Sequence, residues 1–283
     1  MYKRQNKLGA YLKETQILGS IQNTLYWDQN TGMPKKGASW RSEQLTYIAK
    51  VLHERNSSEE FSNLIQSAKN ELADIERNSD NQLFIKDKER NISLLLKEFN
   101  RERNLDPKLV ESLAKAKSKG YESWQEAKEK SDFKIFLPFF EELVKLRIEE
   151  AKQISIQCSP WETLAQPFEP ELNLKWLNKI FQPLKETIPG LIRAINKSQK
   201  NHWDLSPESQ KNLCSKLLDE FGRDRDLVVV GQSPHPFSIT LGPNDFRITT
   251  RIVEGEPLSS FLATAHEWGH SIYEQGLPSQ SHQ

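Results

Sequence analysis

Cysteine is scarce: the chain of 283 residues has two, Cys158 and Cys214. Neither belongs to a CxxC pair, and two thiols do not build a disulfide framework, so a reducing compartment is expected. Net charge is missing as well, because 39 Lys plus Arg balance 39 Asp plus Glu. That balance removes the electrostatic footprint of a nucleic-acid or anionic-membrane binder, and neither partner is expected. No segment approaches the roughly 18 apolar residues that a membrane helix needs. The opening Met1-Tyr2-Lys3-Arg4-Gln5-Asn6-Lys7-Leu8 is basic, but no apolar secretory core follows it. A cytoplasmic protein is expected. Internal repeats, low-complexity runs and an obvious flexible linker are absent too, and the length suits one large domain or two ordinary ones.

What is present, up to about residue 222, is helical patterning. Over 59–103 apolar residues recur at helical spacing (Phe61, Leu64, Ile65, Ala68, Leu72, Ile75), with Glu and Lys on the other faces. A second block, 107–155, opens on Asp106-Pro107, an N-cap and first-turn pair, and carries a cap at Ser131-Asp132-Phe133. A third runs from Leu172 to about Lys200, where Pro183 and Pro189-Gly190 are expected to kink or interrupt it.

The texture then changes. Asp226 to Gly231 reads as a short buried strand. Strands are also expected at 235–241 and 245–252, joined by the turn residues Gly242-Pro243-Asn244. In the second, Phe246, Ile248 and Ile252 alternate with Arg247, Thr249 and Arg251, the period of a half-buried strand. A final helix is expected from Pro257 to about Gln275, with Pro in its first turn, Gly276 past its end and Pro278 blocking continuation. The fold class is mainly α, with 1–222 helical and 223–283 holding a small sheet and the last helix.

That helix carries His266-Glu267-Trp268-Gly269-His270. Residues four apart lie on one helical face, so His266 and His270 can reach one ion. Glu267 is placed to reach an ion-bound water as general base, and zinc lowers that water's pKa to about 7. The stripe Leu258, Phe261, Leu262, Ala265, Gly269, Ile272 is expected to fix the opposite face in the core. Two ordinary helical histidines beside a solvated Glu are the plainer alternative. Upstream, Asp245–Ile252 is expected to be an edge strand, either offering itself to an extended peptide or simply facing water. His235-Pro236-Phe237 holds its histidine extended and able to face the site, although a loop histidine without function fits as well.

Together these pieces resemble the M32 metallocarboxypeptidases, the carboxypeptidase Taq type. Leu25-Tyr26-Trp27-Asp28-Gln29, Met33-Pro34, Arg41 and Gln44-Leu45 resemble the family's WDQ-and-MP segment. Trp124, Ala127, Ser131-Asp132-Phe133, Phe136 and Pro138 resemble its central stretch. His235-Pro236-Phe237 matches HPF, Asp245-Phe246-Arg247-Ile248-Thr249 matches DxRxT, and His266 to His270 matches HExxH. The resemblance implies a multi-helix, neurolysin-like groove, a homodimer, and release of single residues from peptide C-termini with a divalent ion, normally zinc, with cobalt or manganese as alternatives. It implies His266 and His270 as metal ligands and Glu267 as catalytic base. Asp245, Arg247 and Thr249 would line the groove, with His235 and Phe237 near it. Trp27, Asp28 and Trp124 read as structural.

The sequence also departs from the family. The third ligand there is a Glu on a later helix, and only Ser271 to Gln283 follow His270. Glu274 cannot replace it, since eight residues of helix from His266 rise about 12 Å. The metzincin pattern fails at Tyr273 and Gly276, where it needs Gly and His. His282 lies beyond the Gly276 stop. The chain therefore reads as the N-terminal portion of such an enzyme, with impaired activity expected. An oligopeptidase cutting internally and a non-catalytic helical remnant stay open.

Overall fold

The computed structural model describes residues 3–76, 82–195 and 205–277, and ten α-helices and three strands lie within them. The long first helix α1 (Lys3–Thr31) turns back through Met33-Pro34 into α2 (Ala38–Asn56). At that turn the Asp28 carbonyl accepts the Gly32 and Met33 N–H groups at 3.0 and 2.8 Å. The Asp28 carboxylate is bridged by Arg41 at 2.6 Å, which pins α2 against α1. Next come α3 (Glu59–Glu76) and α4 (Gln82–Arg103). Phe61, Ile65 and Ala68 of α3 bury against Leu8, Tyr11 and Phe99, as the helical spacing of the apolar residues dictates.

Asp106 caps α5 (Pro107–Lys130) by accepting from the Lys108 N–H at 2.8 Å. Ser131 ends the helix in the left-handed region at φ 51°, and Asp132 caps the short turn leading to α6 (Leu137–Ile154). A reciprocal Ser159–Glu162 capping box opens α7 (Pro160–Ala165). Then follow α8 (Leu174–Ala194) and α9 (Pro207–Glu220).

Of the kink or interruption expected in helix α8, the interruption does not occur, because Pro183 and Pro189 lie inside a single helical span. None of its residues is buried, so the Lys179 and Lys185 carbonyls, which lose their N–H partners to proline, face water. The expected continuation to Lys200 lies outside the described residues.

The sheet has the order β1 (Val228–Gln232), β3 (Asp245–Thr250), β2 (Ser238–Gly242). β1 runs parallel to β3 and β2 antiparallel, with Val230 and Ser238 both opposite Ile248. The expected edge strand at 245–252 is therefore overturned, since β3 is the centre of the sheet. Neither an offered edge nor a plain water-facing edge applies to it. The hairpin fixed only its β2 side. β1 closes the other, and Thr249 and Thr250 are buried beside Phe246 and Ile248.

The last helix, α10 (Pro257–Gln275), lies across β3, β2 and α9. Its buried face also overturns an expectation. Ser260, Thr264, Glu267, Trp268 and Ser271 are buried, whereas Leu258, Leu262 and Ile272 are 51%, 62% and 45% exposed. Hydroxyls that satisfy one another cover the sheet. Trp268 alone adds large apolar surface to the Leu218, Val228, Phe246 and Ile248 cluster.

Candidate metal centre

Burying the Ser260–Thr264–Glu267–Ser271 face turns His266 and His270 outward, where both are exposed. Their rings meet edge to face with centroids 4.7 Å apart, and the two Nε2 atoms are 3.2 Å apart. An ion at zinc–imidazole distances of about 2.0–2.1 Å from both would subtend about 100°, near the tetrahedral value. The donor types and their convergence thus fit a divalent ion. Among the described residues no third His, Cys, Asp or Glu joins them.

Glu267 follows the first histidine but lies on the buried side, 7% exposed. Burial pushes its carboxyl above the usual carboxylate range, and the imidazoles of His266, His270 and His235 pull it back. His235, an exposed loop residue, is therefore within electrostatic reach of this carboxylate.

The loop carrying His235 is held from behind. Ser233 donates its hydroxyl to the His235 carbonyl at 2.6 Å and shares a 2.7 Å hydrogen bond with the Thr249 hydroxyl. Thr249 Oγ1 also accepts the Phe237 N–H at 2.9 Å, and the Thr249 N–H donates to the Phe237 carbonyl at 2.8 Å. Thr249 has no exposed surface, so it braces the His235-Pro236-Phe237 loop from inside. The Phe237 ring is clasped edge-on by Tyr26 and Trp27 at 5.6 and 5.7 Å. Arg247 pairs with Asp245 at 2.8 Å and lies over the Trp27 ring at 5.6 Å. The structure thus joins Trp27, Phe237, Asp245, Arg247 and Thr249 into one scaffold beside the histidine helix.

Asp28 serves α1 and α2 through Arg41, and Trp124 stacks with Tyr121 and Lys128. Sequence reasoning passed over Ser233, Thr250, Ser260, Thr264 and Gln210. Small hydroxyls at 260, 264 and 271, on the side of the helix away from the apolar stripe, were the available signal.

The family model for carboxypeptidase Taq (M32) metallopeptidase matches residues 7–283. The chain belongs to that family. Thermostable carboxypeptidase 1 of Thermus thermophilus is 30% identical over 98% of this chain and 56% of its own length. Carboxypeptidase 1 of Bacillus subtilis is 30% identical over 89% of this chain and 50% of its own. The BsuCP crystal structure superposes with a TM-score of 0.87 at 28% identity, covering 98% of this chain and 55% of that one. The chain spans about half the length of the M32 relatives it matches.

Proposed function

We propose that this chain supplies the metal-binding helix and one wall of a zinc-dependent metallocarboxypeptidase that releases C-terminal amino acids from peptides. In this reading residues 1–283 are the N-terminal portion of the catalytic domain. His266 and His270 hold the ion, and Glu267 is the base. The single observation that carries it is the Nε2 pair at 3.2 Å, exposed on a helix whose other side is locked into the sheet.

The ion, when bound, would polarise the scissile carbonyl and acidify a water. The chain's own residues do the rest. Glu267, with a carboxyl raised by burial, takes a proton and returns it to the leaving amine. His235 lies within electrostatic reach of that carboxylate, on a loop held by Ser233, Thr249 and Phe237, and Arg247 and Asp245 stand beside the same loop. Peptide is the substrate in this reading, and the intact protein is a cytoplasmic homodimer. Among the described residues no helix is long and apolar enough to cross a membrane.

Residues 1–283 alone would turn over little or nothing, because two imidazoles hold an ion more weakly than three ligands. The exposed stripe of α10, together with Trp176, Phe181, Leu191 and Ile192 of α8, supports a reading in which more of the fold covers these faces and brings the third ligand. The test compares a free-ended peptide with its C-amidated twin. Zinc-loaded residues 1–283 should give background only. With a segment that supplies the third ligand, single C-terminal residues should leave the free-ended peptide alone. Internal fragments from both peptides would favour an oligopeptidase. No product from either, with zinc bound, would favour a non-catalytic remnant.

A further inference from the structure

Beneath the histidine pair, α10 meets β3 and α9 through side chains that are polar and almost wholly buried. Ser260 and Thr264 have no exposed surface, and Gln210 is 1% exposed. The hydroxyls of Thr250 and Thr264 lie 2.7 Å apart, and Thr264 donates to the Ser260 carbonyl at 2.8 Å. One turn back, the Ser260 hydroxyl accepts the Val253 N–H at 3.1 Å and donates to Gln210 Oε1 at 2.9 Å. The Gln210 amide then donates to the Leu205 and Val253 carbonyls, each at 3.1 Å. Every polar group in this chain of contacts has a partner, and it ties three elements together: the end of β3, α9 and α10.

Hydrophobicity alone would choose another orientation. At 100° per residue, the apolar stripe of Leu258, Leu262 and Ile272 lies roughly 140° around the helix from the Thr264 face. Turning α10 by that amount would bury the stripe and carry His266 and His270 away from the open face they now occupy. What opposes the turn is the set of partners on the far side. The Thr250 hydroxyl, the Val253 N–H and the Gln210 Oε1 would all lose their partners on α10 and be left buried, and unpaired buried polar groups are costly.

We propose that the Thr250–Thr264 hydroxyl pair, backed by Ser260 and Gln210, is a positioning network that sets the rotation of α10 and so holds the two imidazoles convergent on its open face. These residues touch neither ion nor peptide and act only through the helix. The inference rests on the reading of His266 and His270 as metal ligands.

The test titrates the chain of residues 1–283 with Cu²⁺ and with Zn²⁺ by calorimetry and measures stability in denaturant alongside. Thr264→Val should lose both stability and ion affinity, because it orphans the Thr250 hydroxyl. The double variant Thr250→Val/Thr264→Val leaves no orphan in the pair and should regain most of the stability. Its ion affinity should stay about ten-fold or more below wild type, the usual size of an outer-shell effect. Thr264→Ser, which keeps the hydroxyl, should bind nearly as wild type. A purely structural role moves affinity only with stability, so a double variant that binds ions like wild type overturns the proposal. A His266→Ala/His270→Ala control separates the two failures. If the wild type binds no ion, or binds it equally without the histidines, the metal reading falls and the network has nothing to position.

Discussion

Gly231→Ala is a sharp probe of how the scaffold behind the site is packed. A Cβ at Gly231 would sit 3.0 Å from Cη2 and Cζ2 of Trp27 and 3.3 Å from Thr31 Cγ2. The indole cannot step aside freely. Trp27 is 8% exposed, its ring abuts Phe237, and the Arg247 guanidinium lies over it. Thr31 is anchored through its hydroxyl to the Trp27 carbonyl at 2.7 Å. Overpacking of this kind costs about 1–3 kcal/mol. Replacing glycine restricts the unfolded chain and returns about 0.4–1 kcal/mol. Taking the middle of each range, the net loss is about 1.3 kcal/mol, or about 3–5 °C in melting temperature at about 2–4 °C per kcal/mol. Urea unfolding of both forms at neutral pH is the assay. Trp27→Phe removes the clashing ring edge, so the double variant should lose less than the sum of the singles. A Gly231→Ala protein as stable as wild type would refute this account of the wall between α1 and β1.

Trp268 fills the small core under α10, so Trp268→Ala should cost about 3–5 kcal/mol in denaturant unfolding. Its indole N–H has no hydrogen-bond partner among the described residues, so Trp268→Phe should cost far less. The Asp219 carboxyl is held below its usual range by hydrogen bonds from Arg225 and Arg223. Its contribution is therefore present above the ordinary carboxylate pKa and lost as pH falls through the folded value, so Asp219→Asn should destabilise at pH 7 and be silent in strong acid. Glu122 has the opposite sign, because burial raises its carboxyl, and its contribution is lost as pH rises through the folded value. Glu122→Gln should raise the thermal midpoint at pH 7 and change nothing at pH 4. Zinc should raise the wild-type midpoint, chelator should reverse it, and His266→Ala should not respond.

Much of this fold could be read from residue order. The Phe61–Ile65–Ala68 spacing, the Asp106 cap and the bounds of the final helix at Pro257 and Gln275 are local signals, and local chemistry decided them. The two larger errors came from long-range packing. A hairpin names β2 as a neighbour of β3, but no short-range feature says that β1 docks on the other side. On α10 the apolar stripe pointed the wrong way because α10 meets the sheet through hydroxyls. A network such as Thr250–Thr264–Ser260–Gln210 joins residues up to 54 positions apart in the chain, so no helical window contains it. The histidine pair was legible because residues four apart on a helix always meet. The brace behind His235 depends on Ser233 and Thr249 meeting across the sheet, which only the folded chain shows.

Under the proposed function, α10 is a catalytic helix with Glu267 as its base. The most direct measurement is peptide turnover by wild type and Glu267→Gln, each completed by a segment supplying the third ligand and matched for zinc content. Wild type should release single C-terminal residues, and Glu267→Gln should bind zinc equally while losing about 10²-fold or more in rate. A Glu267→Gln protein with the same zinc content and wild-type turnover would contradict that assignment.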